Sequence, residues 1–359
     1  MKHFKFSIIV TVVLMVLAGW WGYSQRGMGG LLSALWITAV LGVMEVSLSF
    51  DNAVVNASVL KDWNAFWQKL FLTVGILVAV FGMRLIFPLA IVAVATGLDL
   101  LQVWTMATTR PNEYSRHLMD VHAEVAAFGG AFLLLVFLNF IFDQDKEVHW
   151  LGWFEEKAGR IGTESLSVLL ALVAVFVCTE LVAEAHRFAV LYAGIVGIAI
   201  YLAVGWLSSL LEETEHDADP DNAAGTGGGS NLGKAVQRGS IGGFLYLEVL
   251  DASFSFDGVI GAFAITSDVV IIMLGLAIGA MYVRSLTVYL VHKGTLDQFI
   301  YLEHGARYAI GILALIMLGS VKYHVPEWFT GLSGVAFIVV SLYSSVKYRK
   351  RMVNEVRMQ

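Results

Sequence analysis

The apolar positions of this chain fall into long blocks rather than into an alternating or amphipathic pattern. Ten of them are candidate membrane spans, near 6–23, 31–59, 69–96, 124–142, 166–185, 188–211, 241–265, 268–291, 308–322 and 328–346. A run of about 17–25 apolar residues is what one helical crossing of a bilayer requires. The pattern predicts an all-α, polytopic helical membrane protein with about ten transmembrane helices. Lys2 and Lys5 before the first block would also suit a signal peptide. The length of that block and the interfacial pair Trp20-Trp21 favour a retained helix.

Polar breaks give the organisation. Residues 1–30 form an N-terminal helix, 31–142 a first unit, 143–211 a surface segment with connecting helices, and 212–240 a linker. Residues 241–322 form a second unit, and 323–359 a last helix with a basic tail. The stretch 212–231 reads EETEHDADPDNAAGTGGGSN, acidic then glycine-rich, without an apolar face to bury. Between Asp143 and Gly162, Trp150, Trp153 and Phe154 among charges predict a helix lying on the membrane surface. The polar loop from Gly97 to His122 carries no assignable role.

Composition agrees. The chain is 58% hydrophobic and 14% charged, where a soluble domain carries about 25% charged residues. With both termini cytoplasmic, 16 Lys and Arg face the cytoplasm and 5 the other side, with Arg84 and Arg284 inside spans. So large a bias supports ten spans in the inner (cytoplasmic) membrane in that orientation. The single cysteine, Cys178, rules out an internal disulfide framework or a multi-cysteine metal site. No HExxH pair supports a membrane protease, and no basic patch interleaved with aromatics supports nucleic-acid binding. Nothing in the chain suggests an enzyme or an organic cofactor.

The chemistry lies in acids placed where acids are costly, roughly 2.5–3.5 kcal/mol each on insertion scales. The second block contains Glu45 and, six residues on, Asp51-Asn52. The seventh contains Glu248, Asp251 and, six residues after that, Asp257. Ser49-Phe50-Asp51 and Ser255-Phe256-Asp257 occupy matching places. The two blocks lie an odd number of crossings apart and so run in opposite directions. Inverted units with a site near the midplane are a common architecture of secondary transporters. Glu45, Ser49 and Asn52 share one helix face, as do Glu248, Asp251 and Ser255, whereas Asp51 and Asp257 lie off those faces. Either the helices unwind around Ser-Phe-Asp, or the off-face aspartates serve the surface between units. Gly258 and Gly261 fit unwinding; Gly275 and Gly279 fit close helix packing.

Each acidic span is followed by one with a lone arginine, Arg84 or Arg284, for which the acids are the expected partners. Pro88 predicts an opening in the helix beside Arg84. Glu180 and Glu184, near Arg187, are expected at the membrane interface. Five intramembrane acids against two arginines leave about three negative charges in low dielectric, which protonation or a bound cation must offset. Carboxylates, serine hydroxyls and an asparagine carbonyl are hard ligands that suit Mg²⁺, Mn²⁺ or Ca²⁺, with Na⁺ open.

At these residues the chain resembles the TerC (tellurium-resistance) integral membrane family. The likeness rests on Glu45-x5-Asp51-Asn52, Glu248-x2-Asp251-x5-Asp257, Gly261 to Thr266, and the glycine-to-arginine stretches Gly75–Arg84 and Gly275–Arg284. It covers about Leu31–Phe87 and Gly242–Val321, and points to an extended subgroup known only as an uncharacterised membrane family. The resemblance implies a lysine-exporter superfamily fold and a metal site of Glu45, Asp51, Asn52, Asp251 and Asp257. It favours Mn²⁺ efflux linked to tellurium resistance. Asp257-Gly-Val-Ile stands where that family often has Asp-Ser-Ile-Pro. The functional expectation is export of a divalent metal ion, Mn²⁺ foremost. Metal ligands would be Glu45, Asp51, Asn52, Glu248, Asp251 and Asp257, with Arg84 and Arg284 balancing charge. Partners would be membrane lipid, the metal and counter-moving protons, with room for a homo-oligomer. The alternatives are a membrane factor assisting assembly or metalation of exported proteins, and a carrier of a small organic cation.

Overall fold

The computed structural model describes residues 4–75, 77–144, 146, 148–216, 240–292, 299–323 and 325–358. The expected linker begins later than position 212: residues 212–216 continue the helix Glu184–His216, and the rest of the acidic, glycine-rich stretch, from 217 on, lies outside the described residues. All regular structure among the described residues is helical. Eight helices there are long and apolar enough to cross a membrane.

The first, α1 (Lys5–Leu48), has 44 residues. A straight helix of that length would be about 66 Å long, roughly twice the ~30 Å hydrocarbon core of a bilayer. It folds back at Arg26-Gly27, where Gly27 takes φ 63° and ψ −147°, a conformation that favours a residue without Cβ. The two arms then meet backbone to backbone: a Cβ on Gly22 would lie 2.4 Å from the Gly30 carbonyl oxygen. One helix thus covers the first two expected spans.

After a one-residue interruption at Ser49, α2 (Phe50–Leu60) continues inward. Next, α3 (Ala65–Thr96) contains wide π-helical turns at Phe71–Gly75 and Val78–Ile86. Ordinary helix resumes at Phe87, with Pro88 in its first turn. The opening expected beside Arg84 is therefore a change of helix type. The polar loop 97–122 is not irregular. It forms α4 (Leu100–Thr109), started by a capping box between Asp99 and Gln102, and α5 (Pro111–Asp120). Tyr114 of α5 is buried with its ring 5.8 Å from that of Phe263, so this segment caps one end of the bundle.

The rest of the bundle is α6 (His122–Ile141), α7 (Trp153–Ile161), α8 (Glu164–Leu181), α9 (Glu184–His216), α10 (Ile241–Ile265), α11 (Val269–His292), α12 (Leu302–Ser320) and α13 (Glu327–Met358). At the α8–α9 turn, Arg187 lies 3.4 Å from the exposed Glu180. The outer arm of α1 runs antiparallel to α11, with Ser7 bonded at Met281 and Ser285 and Trp21 at Asp268. The inner arm runs parallel to α11, since Leu41, Gly42 and Glu45 meet Gly275, Ile278 and Gly279 in order. Phe71 and Gly75 of α3 meet Phe244 and Glu248 in the same way, so α3 and α10 are parallel too.

Two large apolar cores result among the described residues, with a small one of Val80, Ala277, Ala280 and Met281 between α3 and α11. One takes Val54–Leu60 of α2 with Leu247 and Leu250 of α10. The other takes Leu41 of α1 with Val259 and Ala262 of α10. The buried acids lie in the layer between them.

On the surface segment, α7 exposes Trp153 and Phe154 and buries Glu155 completely. Glu155 lies 3.4 Å from Lys146 Nζ and accepts from the Tyr308 hydroxyl at 2.9 Å and from the Trp150 and Leu151 N–H groups. Burial raises its pKa, but these donors outweigh burial and hold it below the ordinary 4.5. Burial pushes Lys146 down despite the adjacent carboxylate, so the bonds at Glu155 are what keep the pair charged. A carboxyl with a depressed folded pKa stabilises fully above its unfolded value, and that stability is lost as pH falls through the folded one. Acidification below 4.5 is therefore expected to release α7 from α12. Amide exchange over 153–161, corrected for intrinsic rate, should rise in the wild type and stay flat in Glu155→Gln.

Candidate functional site

The local sequence explains why charge gathers between the cores. Glu45, Ser49 and Asn52 fall at i, i+4 and i+7 on one face of the α1–α2 run, while apolar residues fill the flanking turns. Glu45 is 1% exposed. Its Oε1 accepts from Arg84 Nη2 and from Ser49 Oγ at 2.9 Å. Arg84 also donates to the Ala79 carbonyl at 2.5 Å, five residues back in its π-helical turn. Glycines let the helices close on this pair: a Cβ on Gly279 would lie 2.3 Å from Glu45 Cβ, and one on Gly258 would lie 2.9 Å from Glu45 Oε2.

The two acidic helices are joined directly. Asn52 Nδ2 donates to Asp251 Oδ1 at 2.5 Å. Asp251 Oδ2, both oxygens of Glu248 and Oδ1 of Asn56 are buried and have no hydrogen-bond partner. Buried polar oxygens left in that state cost several kcal/mol in apolar surroundings, on the order of 2–7 each. Glu248, Asp251 and Asn56 line one cavity of about 40 Å³, with Gly75, Arg84, Arg284 and Thr287.

A second cavity, of about 270 Å³, lies beyond the Glu45 layer and is lined by Leu48, Asp51, His122, Phe254, Gly258, Ser320 and Lys322. Asp51 faces it and abuts α13, where a Cβ on Gly334 would lie 2.5 Å from Asp51 Oδ2. Going from residue 48 to 56, the chain passes from the second cavity to the first; going from 248 to 258 it passes the other way. The acidic helices therefore run in opposite directions through the same layer.

Several expectations change. The helix is interrupted at Ser49 in the first acidic segment, but α10 runs unbroken from Ile241 to Ile265. Glycines at 258, 275 and 279 serve close packing, because Glu45 and Leu41 fill the space where their Cβ atoms would stand. Arg284 makes no ion pair among the described residues. Its Nε and Nη2 donate to the Leu72 carbonyl at 2.9 and 2.6 Å, and its guanidinium lies 5.7 Å from the Phe6 ring centre. The π-helical turn at Phe71–Gly75 presents that carbonyl to it. Asp51 does not join Glu248 and Asp251; it faces the opposite cavity. The side chain of Asp257 lies outside the described ones. Among the described residues, no group of three Asp, Glu, His or Cys side chains is placed to hold a metal ion. Asn56, Gly75 and the Leu72 carbonyl were not expected. Of these, Asn56 carries a signal, since it stands four residues after Asn52 on the same face.

A family model described as "Protein of unknown function (DUF475)" matches residues 50–352. Over 110 residues the chain is 31% identical to an uncharacterized membrane protein, YceF, of Bacillus subtilis strain 168. That stretch is 30% of this chain and 42% of the relative, so well under two thirds of the relative is covered. No solved structure matches. The family match overturns the resemblance to the tellurium-resistance family, since DUF475 is a distinct family and its model takes in the middle of the chain, which that resemblance left out. Acids at fixed spacing in apolar helices specify where charge sits, and that alone did not identify descent. Together with the apolar helices, the match to a membrane protein marks this as a multi-pass membrane protein.

Proposed function

The chain belongs to the DUF475 family, and from that premise and the charged layer between two cavities we propose a transporter that exports a divalent metal cation. The observation that carries the reading is the set of buried, partnerless oxygens of Glu248, Asp251 and Asn56 around one small cavity. Two carboxylates and a neutral oxygen suit a hard divalent ion such as Mg²⁺ or Mn²⁺, which is commonly held by one or two carboxylates with waters completing the shell. The volume of about 40 Å³ has room for roughly three water-sized species. It suits an ion with a few waters and is far too small for an organic cation. The preference for Mn²⁺ over Mg²⁺ came from the family resemblance and falls with it; the class of ion stands on the ligands.

Charge supports the same reading. Glu248 and Asp251 line this cavity with Arg84 and Arg284, and Glu45 pairs with Arg84 beside it, a local excess of one negative charge. Arg284 is held there by a backbone carbonyl rather than by a carboxylate, so it is the charge free to leave when a cation arrives. Its departure doubles the excess and matches a divalent ion.

The opposed acidic helices and the parallel pairs, α11 with the inner arm of α1 and α3 with α10, support two inverted units. Splitting α1 at Arg26-Gly27 and counting α10, whose three acids make it less apolar, gives ten crossings with both termini cytoplasmic. The cavities on either side of the Glu45–Arg84 layer would be the inner and outer vestibules of an alternating-access cycle. Protons are the proposed counter-ion.

The test is Mn²⁺ or Mg²⁺ flux into proteoliposomes holding the purified protein. Glu248→Gln and Asp251→Asn should each lower the rate at least about tenfold, the scale of losing one contact to a charged group. Variants that transport like the wild type would show that the site lies elsewhere. A wild type carrying neither ion would end the transport reading.

A further inference from the structure

On the transport reading just given, one residue sets what the cation position accepts. We propose that Asn56, the third residue of the position, supplies its neutral oxygen and determines selectivity among divalent ions.

Asn56 is 5% exposed, and its Oδ1 has no hydrogen-bond partner. It lines the same cavity of about 40 Å³ as Glu248 and Asp251, whose free oxygens also lack partners. Four oxygens from two helices thus surround one small volume. Asn52 and Asn56 stand one turn apart on α2. The Asn52 amide nitrogen fixes Asp251 Oδ1; this leaves Asp251 Oδ2 for the same cavity that Asn56 Oδ1 faces.

The position has no twin. The repeat that places Asp51 on Asp257 places Asn56 on Ala262, which carries no oxygen on its side chain and is packed in the second apolar core. In the other direction it places Glu248 on Gly42. Among the described residues the related units thus make one such position, and Asn56 and Glu248 are what each adds to it.

The neutrality of Asn56 matters physically. A third carboxylate would bind divalent ions more tightly and favour Ca²⁺, which takes 6–8 oxygens in flexible geometry with several carboxylates. An amide oxygen keeps the ligand field near that of Mg²⁺ and Mn²⁺ and lets the ion leave.

The experiment measures Mn²⁺ binding by electron paramagnetic resonance on the full-length protein in lipid nanodiscs, with Mg²⁺ and Ca²⁺ as competitors. Asn56→Leu should weaken Mn²⁺ binding about tenfold to a hundredfold, the range for one lost contact to a charged group. Asn56→Asp should tighten binding, raise the Ca²⁺-to-Mn²⁺ affinity ratio, and slow flux in proteoliposomes. A purely structural Asn56 would not move the ion ratio. If Asn56→Leu does not fold, the Asn56→Asp ratio decides. If the wild type binds Mn²⁺ and both variants keep its affinity and ion ratio, the assignment of Asn56 is overturned while the site of Glu248 and Asp251 stands. If the wild type binds no divalent ion, the transport reading itself fails.

Discussion

Arg84→Met is expected to destabilise the protein by about 3–5 kcal/mol, the scale of leaving one partner of a buried ion pair alone. Glu45 is closed in on every described side. Gly279 and Gly258 bring two helices against it, and Ser49 is its other donor. The Ala79 carbonyl would lose its bond from the guanidinium as well. Thermal unfolding in detergent should show the loss directly. The double variant Glu45→Gln/Arg84→Met should recover most of it, because neither charge of that pair is then left buried alone. A single variant as stable as the wild type would mean that Arg84 does not neutralise Glu45. The double variant, though stable, should still be impaired in transport, since the layer between the two cavities would have lost its charge pair.

Gly279→Ala is expected to have the second largest effect. The added Cβ would meet Glu45 Cβ at 2.3 Å and the Gly42 carbonyl oxygen at 2.9 Å. Neither neighbour is the loose end of a side chain. The inner arm of α1 and α11 would have to separate, and overpacking of this kind costs about 1–3 kcal/mol, occasionally more. The separation would also pull Glu45 from Arg84, so loss of metal flux should accompany loss of stability. Gly319→Ala is the control. A Cβ there meets nothing within 4 Å, and in a helix alanine is favoured over glycine by roughly 0.5–1 kcal/mol. Equal behaviour of the two variants in thermal unfolding would refute the packing argument. In lipid, where apolar side chains gain little by leaving their surroundings, small residues that admit close backbone contact are a main source of helix association. That is why one methyl group is expected to matter here.

The chain by itself determined that it crosses a membrane with helices, where most of those helices lie, and that charge is concentrated in two related segments. Such features are local: a bilayer demands long apolar runs, and an acid or arginine inside one stands out in a single line of sequence. That Arg84 pairs with one of the intramembrane acids was legible for the same reason, since a lone buried guanidinium needs an anion nearby; that the partner is Glu45 came from the structure. Only the tertiary structure decided how the charges divide. Two acids with the same spacing can be brought together or separated depending on which way their helices cross, and spacing does not encode the crossing. Thus Asp51 faces one cavity and Glu248 with Asp251 the other, and Arg284 is held by the Leu72 carbonyl instead of an acid. The π-helical turns in which Leu72 and Ala79 lie depend on backbone hydrogen bonds shifted by one residue, a choice set by packing rather than by side-chain type. Asn56 was hidden because an asparagine in an apolar helix reads as ordinary polarity until its neighbours across the interface are known.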